Sequence, residues 1–401
     1  MNEQVKSKSP FYPGQPVPVE LFVGRANEID RIMKRGAGQV AEGKPISVFI
    51  EGEYGIGKSS IANYIRLLSL IQYKLHGVYV SLGGCSRFED VSRNILEQTV
   101  ASCASVNKPT DKLKDFLGKY VKEQTIFGVK IDFGILRTEA QDLNSHAKML
   151  AFLKSIKEKL EPDFSGLFLI LDEINGIASN SQFANFIKGL VDSNAVSSQP
   201  LPLLLMLCGV EERRKDMIRA HQPIDRIFDI VTIGPLSGED TKEFFKKSFE
   251  SVNMTVSSNA MRDMVRMSAG FPKIMHLIGD AAYWLDTDGN IDEDDSFKAI
   301  LVAAEDVGKK YVDQQVYKAL RSEDYRSILH KIASMGPFDL EFQKSEVAAK
   351  LSVEEKKKLD NFLQRMKKLN VIRSGDKKGE YVFNQRMVKL YIYLQSQQEK
   401  R

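Results

Sequence analysis

The stretch Gly52-Glu53-Tyr54-Gly55-Ile56-Gly57-Lys58-Ser59 decides the fold expected for this chain. It matches G-x-x-x-x-G-K-[ST], the pattern of a phosphate-binding loop. The apolar, β-branched run 46–50 comes directly before it and predicts a buried strand. A strand, a glycine loop and a helix in succession point backbone N–H groups at an anion, so a chance match in an ordinary turn is disfavoured. The apolar residues that predict the helix recur at helical spacing: Ile61, Ile65, Leu68 and Ile71.

The loop supplies the predicted phosphate contacts. Its glycines let the backbone turn tightly and approach a phosphate without a Cβ in the way. The Lys58 ammonium can reach the β- and γ-phosphates, and the Ser59 hydroxyl can ligate Mg²⁺. The residues predicted to bind the nucleotide here are Gly52, Gly55, Ile56, Gly57, Lys58, Ser59 and Ser60.

An acidic pair follows the apolar run 167–171, which itself predicts a strand buried in a parallel sheet. Asp172 and Glu173 end this strand, on the side of the sheet where ligands bind. Asp172 is predicted to hold Mg²⁺, and Glu173 to orient or deprotonate the attacking water. The alternative, a simple strand-end turn, is disfavoured by the phosphate loop earlier in the chain. ATP and Mg²⁺ are therefore the predicted cofactors.

Composition narrows the class of protein. A chain of 401 residues with 43% hydrophobic and 27% charged residues is typical of a globular protein of two or three domains. The net charge is only +4, yet residues 321–401 carry 18 Lys and Arg against 11 Asp and Glu. No apolar run approaches the roughly 18 residues of a membrane span. The three cysteines lack metal-ligand spacing, and we expect a cytoplasmic protein without a membrane partner.

Strands alternate with helices over about 200 residues, which predicts an α/β fold with a doubly wound parallel sheet. After residue 237 the pattern changes to helices only. The predicted strands are 46–50, 77–82, 167–171, 203–208 and 230–233, and the predicted helices after them are 238–250, 257–268, 272–285 and 295–319.

The last 80 residues predict three helices, a two-stranded hairpin and a final helix, which is the order of a winged-helix domain. These elements fit 323–335, 342–351, 354–370, 371–383 and 386–396. The predicted domains are an extended, proline-rich arm 1–20, a phosphate-loop α/β domain 21–236, an all-helical lid 237–319 and a winged helix 320–401. Within the α/β domain, 101–145 is interpreted as an insertion with a strand or small hairpin at 126–136.

The helix 354–370 and the hairpin after it are basic. A basic recognition helix with a basic wing predicts contacts with the phosphates of duplex DNA. Glu354, Glu355, Asp360 and Asp376 dilute the charge, so a winged helix that docks a protein stays open as an alternative. The residues predicted to contact DNA are Lys357, Arg365, Lys367, Lys368, Arg373, Lys377 and Lys378.

Arg226 comes just before the last predicted strand of the sheet. A guanidinium there could stabilise γ-phosphate charge as an arginine finger, in the same chain or in a neighbour, and we count Arg226 with Lys58 and Glu173 as a catalytic candidate. The alternative is a surface arginine paired with Asp225 or Asp229. Arg213 and Arg214 are further candidates for the same role.

Taken in order, these motifs resemble AAA+-type ATPases of the group that contains origin-recognition initiators, archaeal-type winged-helix ATPases and STAND signalling ATPases. Phe22–Arg25 resembles the Gly-Arg box that contacts the adenine side, which implies Gly24 and Arg25 as nucleotide contacts. Residues 224–229 with 234–237 resemble the arginine-finger region and the hinge into the lid. Gly270-Phe271-Pro272 resembles the Gly-x-Pro motif of STAND lids, which implies a nucleotide contact for Pro272.

The chain departs from the initiators at two positions. They usually carry Asn at the end of the fourth strand, where this chain reads Leu207-Cys208-Gly209, and they carry a sensor-2 arginine that Gly270-Phe271-Pro272 lacks. Both departures favour a slow nucleotide-dependent switch over fast turnover.

The resemblance then implies that Mg-ATP binds between the α/β domain and the lid, and that the winged helix binds duplex DNA. A homo-oligomer or a protein partner is compatible with this function. One alternative is a STAND-like signalling or defence regulator whose winged helix binds protein. A further alternative is a nucleotide-binding scaffold that barely hydrolyses.

Overall fold

The computed structural model describes residue 6 and residues 8–104, 144–320, 322–336 and 339–398. The chain forms two compact units. We call residues 16–234 the sheet unit, and residues up to 15 together with 235–401 the helical unit. The polypeptide therefore passes from one unit to the other twice. The predicted hairpin at 126–136 lies outside the described residues.

A five-stranded parallel sheet, in the order β2-β3-β4-β1-β5, lies at the centre of the sheet unit. The predicted doubly wound α/β fold is confirmed, and each predicted strand is found within two residues of its expected bounds. The strand that precedes the phosphate loop and the strand that ends in the acidic pair are separated by β4 alone. The strands are β1 (Ile46–Glu51), β2 (Leu75–Ser81), β3 (Gly166–Asp172), β4 (Leu203–Gly209) and β5 (Asp229–Thr232).

Helices cover both faces of this sheet, which is why its central strands are continuous apolar runs. Leu167, Leu169 and Leu171 pack in a buried cluster with α4, α5 and α6. Phe168 and Ile170 alternate with them along β3, and they are equally buried on the other face. The helices are α1 (Ala26–Ile32), α2 (Gly38–Ala41), α3 (Lys58–Tyr73), α4 (Phe88–Ala104), α5 (His146–Leu160), α6 (Ser181–Ala195) and α7 (Glu211–Ala220).

Four helices and a two-residue parallel strand pair, β6 (Thr255–Val256) with β7 (Asn290–Ile291), open the helical unit. The predicted helix 295–319 differs in its second half, because the chain becomes π-helical over Gly308–Tyr317. There Asp313 accepts a hydrogen bond of 2.9 Å from the Tyr391 hydroxyl of the C-terminal helix. The four helices are α8 (Gly238–Glu250), α9 (Ser258–Ser268), α10 (Pro272–Leu285) and α11 (Glu293–Val307).

The C-terminal segment contains four helices and a three-stranded antiparallel sheet of order β8-β10-β9. The predicted helix 342–351 is wrong at its start, because residues 341–343 form a strand. Phe342 pairs with Tyr381 across that sheet and is buried, a tertiary contact that overrides the helical pattern. The elements are α12 (Glu323–Ala333), β8 (Glu341–Gln343), α13 (Lys344–Ala349), α14 (Val353–Lys368), β9 (Ile372–Ser374), β10 (Glu380–Phe383) and α15 (Arg386–Gln398).

The proline-rich N-terminal segment is anchored in the helical unit. Phe11 is buried, with its ring centroid 4.9 Å from that of Phe249 and 5.9 Å from that of Phe244. The backbone N–H of Tyr12 donates a hydrogen bond of 3.1 Å to His276 Nδ1. The predicted arm 1–20 is thus divided at residue 15 between the two units. In the part of the chain that the structure describes, no helix is both long and apolar enough to cross a membrane.

A buried carboxylate joins α14 to α12. Glu355 accepts hydrogen bonds from Lys331 Nζ at 2.7 Å and from the Ser327 hydroxyl at 2.7 Å, and it caps α14 through the backbone N–H of Ser352. Burial alone would raise the pKa of this carboxyl, but the Lys331 ammonium and the serine donors outweigh it and lower the pKa to about 2. The ionised form is therefore the one that the fold stabilises.

We expect Glu355→Gln to destabilise the helical unit by about 2 kcal/mol at pH 7, because two donors lose their charged acceptor. The stabilisation from Glu355 is complete above its ordinary pKa of 4.5 and is lost as the pH falls towards about 2. The deficit of the variant should therefore shrink with acidification. Urea unfolding followed by fluorescence of Trp284, the only tryptophan, measures it.

The matched control is Glu346→Gln, which changes an exposed carboxylate in the neighbouring helix. Its stability should stay within about 0.5 kcal/mol of the parent. A Glu355→Gln deficit that is equal at pH 7 and pH 3 would contradict the assigned ionisation.

Candidate functional site

The phosphate loop has the backbone shape that its glycines predict, although not all of them act alike. Gly57 has a φ of 98°, in the left-handed region, and it caps the start of α3. Gly52 is required for a different reason, because a Cβ there would lie 2.6 Å from the carbonyl oxygen of Ile233. Gly52 thus permits the close packing of the loop against the segment after β5.

Lys58 lies folded against its own loop. Its ammonium donates to the carbonyl oxygens of Gly52 at 2.9 Å and Glu53 at 2.8 Å, and it lies 5.7 Å from the Tyr54 ring centroid. The Tyr54 hydroxyl accepts a hydrogen bond of 2.9 Å from Asn175 Nδ2, which follows the acidic pair. Burial lowers the pKa of Lys58, while Asp172 and Glu173 oppose that shift. A phosphate would therefore replace backbone acceptors that Lys58 already has.

Tyr79 lies against Asp172, one of the two predicted Mg²⁺ ligands. Its hydroxyl donates a hydrogen bond to Asp172 Oδ2. Burial, together with the Asp172 carboxylate, raises the pKa of Tyr79, so the phenol keeps the proton that it donates. Asp172 also accepts a hydrogen bond of 2.8 Å from the backbone N–H of Glu173. No local sequence signal indicates Tyr79, because only the pairing of β2 with β3 brings it to Asp172.

Glu173 is held at the edge of the sheet by β2. Its backbone is left-handed, with a φ of 57°, which is a costly conformation for this residue type. The Ser81 hydroxyl donates a hydrogen bond of 3.3 Å to Glu173 Oε2. The carboxylate fills the space that a Cβ at Gly83 would occupy. The glycine at that position therefore leaves room for the carboxylate. The side chain is exposed, as a group that meets water must be.

The residues present suit Mg²⁺ together with a nucleotide. Mg²⁺ prefers oxygen ligands and is usually held by one or two carboxylates plus substrate phosphates. Asp172 offers a buried carboxylate, and Ser59 offers a hydroxyl at the start of α3. Among the described residues no group of three or more His, Cys, Asp or Glu side chains could hold a metal ion. The remaining ligands would therefore be phosphate oxygens and water.

The Gly-Arg box lies against the loop. The Arg25 guanidinium donates a hydrogen bond of 3.1 Å to the carbonyl oxygen of Ile56, inside the phosphate loop. The hydroxyl of Ser60, another predicted nucleotide contact, accepts a hydrogen bond of 3.2 Å from the backbone N–H of Val17. The structure thus brings Gly24–Arg25, the loop, Asp172 and Glu173 to one region of the sheet unit. Pro272 belongs to the helical unit.

Arg226 has neither of the partners that the alternative interpretation gave it. Asp225 accepts a hydrogen bond of 2.7 Å from Arg214 Nη1, and Asp229 forms an ion pair with Arg31. Arg226 is exposed on the 3-10 helix Gln222–Ile227, with no hydrogen bond or ion pair among the described residues. Arg214 also donates a hydrogen bond of 2.8 Å to Glu51 Oε2, so it pairs with two carboxylates in this structure.

The predicted lid motif packs on the predicted hinge. Pro272 begins α10 at its first turn, and Gly270 before it has a φ of 73°. The carbonyl oxygen of Gly270 accepts a hydrogen bond of 2.9 Å from the backbone N–H of Leu236. The two segments that the resemblance singled out separately, 234–237 and 270–272, are therefore hydrogen-bonded to each other.

The predicted DNA contacts differ in their surroundings. Arg365 donates a hydrogen bond of 3.0 Å to the carbonyl oxygen of Ala319, and Lys367 lies 5.8 Å from the Tyr381 ring centroid. Lys357 pairs with Glu354 at 2.7 Å, and Arg373 donates a hydrogen bond of 3.2 Å to Asn384 Oδ1. All seven predicted contacts except Lys367 are exposed.

On α14, four exposed residues at positions i, i+4, i+7 and i+11 form a row on one helix face. Two of them carry amides and are not among the predicted DNA contacts. The row is Lys357, Asn361, Gln364 and Lys368.

Comparison with known proteins locates the fold. No family model and no curated protein matches the sequence. A Walker-type ATPase of Pyrococcus abyssi matches with a TM-score of 0.59 at 17% identity, over 92% of this chain and 96% of that chain. The chain therefore shares its fold with this Walker-type ATPase. The Aeropyrum pernix ORC2 protein in its ADPNP-ADP complexes gives a TM-score of 0.58 at 12% identity, over 94% of each chain. The expected resemblance to origin-recognition-like proteins is thus confirmed at the level of the fold.

We expect Tyr79→Phe to weaken the binding of a non-hydrolysable ATP analogue about 5- to 10-fold when Mg²⁺ is present. The reason is that Asp172 loses the hydrogen bond from Tyr79 that holds it in place, which is worth about 1 kcal/mol. Affinity in EDTA should stay within about twofold, since the loop itself is intact. Calorimetric titration with and without Mg²⁺ measures both values.

Tyr73→Phe, at the far end of α3, is the control and should change neither affinity. Equal losses with and without Mg²⁺ would mean that Tyr79 supports the fold rather than the metal ligands.

Proposed function

We propose that the protein is a molecular switch that binds Mg-ATP at residues 52–59 and hydrolyses it slowly. The convergence of the phosphate loop, Asp172 and Glu173 at one end of the parallel sheet is the observation that supports it. The start of α3 and the loop N–H groups would hold the phosphates, and Lys58 would exchange its carbonyl partners for the γ-phosphate.

In this proposal Asp172 and Ser59 hold the metal, and Glu173 orients the attacking water from its position beside Ser81. Mg²⁺ supplies neutralisation of charge on the β- and γ-phosphates. Arg226, exposed and unpaired within the described residues, would act on a neighbouring copy in a homo-oligomer.

The residue at the end of β4 supports the proposal of slow turnover. Cys208 is fully buried there, and burial raises the pKa of its thiol well above the ordinary value. A neutral, buried thiol is a weak hydrogen-bond donor, so it does not replace a polar side chain that could contact a phosphate or position water. This feature favours a nucleotide that holds a conformation over one that is rapidly consumed.

Glu173→Gln should reduce ATP turnover by about 100-fold or more, because the amide cannot accept a proton from water. ATP binding should persist, since the phosphate contacts do not involve this side chain. Phosphate release and nucleotide titration measure the two effects separately.

The control is Glu42→Gln, which changes an exposed carboxylate of the same unit and should leave turnover unchanged. Unaltered turnover in Glu173→Gln would favour the scaffold that barely hydrolyses.

We further propose that the C-terminal segment is a winged helix that binds duplex DNA through α14 and the hairpin β9–β10. The row Lys357–Lys368 is exposed, and the hairpin adds the exposed cations Arg373, Lys377 and Lys378. The segment packs on α9, α11 and the π-helix through α15, and the row on α14 is exposed. Lysines can neutralise phosphates, and the Asn361 and Gln364 amides are suited to base edges.

Reversing two charges of the row, with Lys357→Glu and Lys368→Glu together, should weaken binding to a 20-base-pair duplex tenfold or more at low salt. The slope of log affinity against log salt should fall by about two, since two phosphate contacts are lost. Fluorescence anisotropy, with and without ATP, measures both quantities.

Lys298→Glu with Lys309→Glu is the control of equal charge change, on exposed positions of α11 and the π-helix. If the parent protein binds no duplex at low salt, the STAND-like alternative with a protein-binding winged helix is preferred. The hydrogen bond between Leu236 and Gly270 favours that alternative, because it couples the Gly-x-Pro motif to the hinge.

A further inference from the structure

A groove of about 620 Å³ lies between α8 and α9 of the helical unit. Its lining contains no residue of the phosphate loop or of the exposed row of α14. Its apolar lining combines side chains from both helices and from the segment between them. These residues are Phe249, Met254, Val256, Met261 and Val265.

The groove is rimmed by four cations and one carboxylate. Lys242 and Lys246 lie on α8, while Arg262 and Arg266 lie on α9, and all four are exposed. The carboxylate is Glu250, which is 3.8 Å from Lys246. The lining therefore carries an excess of positive charge around an apolar surface.

Two of these cations lack an acidic partner. Lys242 and Arg266 form no hydrogen bond or ion pair within the described part of the chain. Burial and then the like charge of Arg266 lower the pKa of Arg386, while Asp339 opposes that shift. A surface with an excess of cations favours an anionic ligand.

The shape of the groove suits a helix. Gly238, Lys242, Lys246 and Phe249 follow one another at helical spacing along α8, and the lining residues of α9 do the same from Ser258 to Arg266. The stripe on α8 extends over about three turns, or roughly 16 Å, and the stripe on α9 over about two turns, or roughly 12 Å. Cations dominate the exposed lining on α8, whereas partly exposed apolar side chains come from α9 and the segment before it, so a helix with one acidic and one apolar face fits the groove. Met254 and Met261 add side chains that adapt to different anchors.

We propose that this groove binds an acidic amphipathic helix of a partner protein. The apolar face of that helix would cover Val256, Met261 and Val265, and its carboxylates would pair with Lys242 and Arg266. A nucleic acid would meet the cations but would leave the apolar surface uncovered, so the composition of the groove favours a protein helix.

The test uses the full-length protein and three fluorescein-labelled 14-residue peptides. The first has Leu at i, i+3, i+4, i+7 and i+11 with Glu on the polar face. The second has the same composition in scrambled order, and the third has Lys in place of Glu. We expect anisotropy to show binding of the first peptide at least tenfold tighter than that of the others.

Lys242→Glu with Arg266→Glu should weaken the first peptide at least tenfold. The matched control, Lys247→Glu with Lys298→Glu, makes the same charge change at exposed positions outside the groove and should stay within about twofold. Circular dichroism checks that each variant is folded. Methyl NMR of the bound protein should show shifts at Met254 and Met261, but not at Met206, which is buried in the sheet unit.

Equal binding of the first and scrambled peptides would overturn the proposal, since charge alone would then be recognised. Absence of binding by the first peptide, or methyl shifts outside the groove, would overturn it as well. Tighter binding to phosphatidylserine vesicles than to the peptide would assign the groove to a lipid surface instead.

Discussion

The parallel pairing of β2 with β3 is the interaction on which the candidate site depends. In its register Ser81 lies opposite Asp172, and Tyr79 lies two residues earlier on the same strand. Side chains two residues apart project from the same face of a strand, so the register delivers both hydroxyls to the acidic pair. A shift of one residue would send both to the opposite face. The hydrogen bonds to Asp172 and Glu173 are therefore consequences of strand pairing.

The polar groups of this site satisfy one another before any ligand arrives. Lys58 donates to loop carbonyls, Asp172 accepts from Tyr79, and Glu173 accepts from Ser81. A buried polar group without a partner costs about 1–3 kcal/mol, so this arrangement keeps the loop stable on its own. Nucleotide binding would then exchange hydrogen bonds, and only the surplus over those exchanged would add affinity. Such a balance suits a switch between two states of similar free energy.

The helical unit presents two cationic surfaces with different surroundings. The row on α14 combines lysines with amides on an open helix face, which matches a polar and charged ligand. The groove between α8 and α9 combines cations with an apolar surface, which matches a ligand that has both an acidic and an apolar face. Positive charge alone attracts any anion. The amides beside the lysines of α14 and the apolar side chains beside the cations of the groove therefore distinguish the two surfaces.

The sequence by itself determined the elements whose signals are local. The phosphate loop, the apolar strand before Asp172 and the helices at 238–250 and 272–285 follow from short-range pattern and glycine chemistry, and each is found where it was expected. Tertiary structure alone decided which strand neighbours which, and hence the roles of Tyr79 and Ser81. It also made residues 341–343 a strand, because Phe342 gains burial against β10. Contacts between residues distant in sequence depend on register and packing, and a single sequence holds no direct record of either.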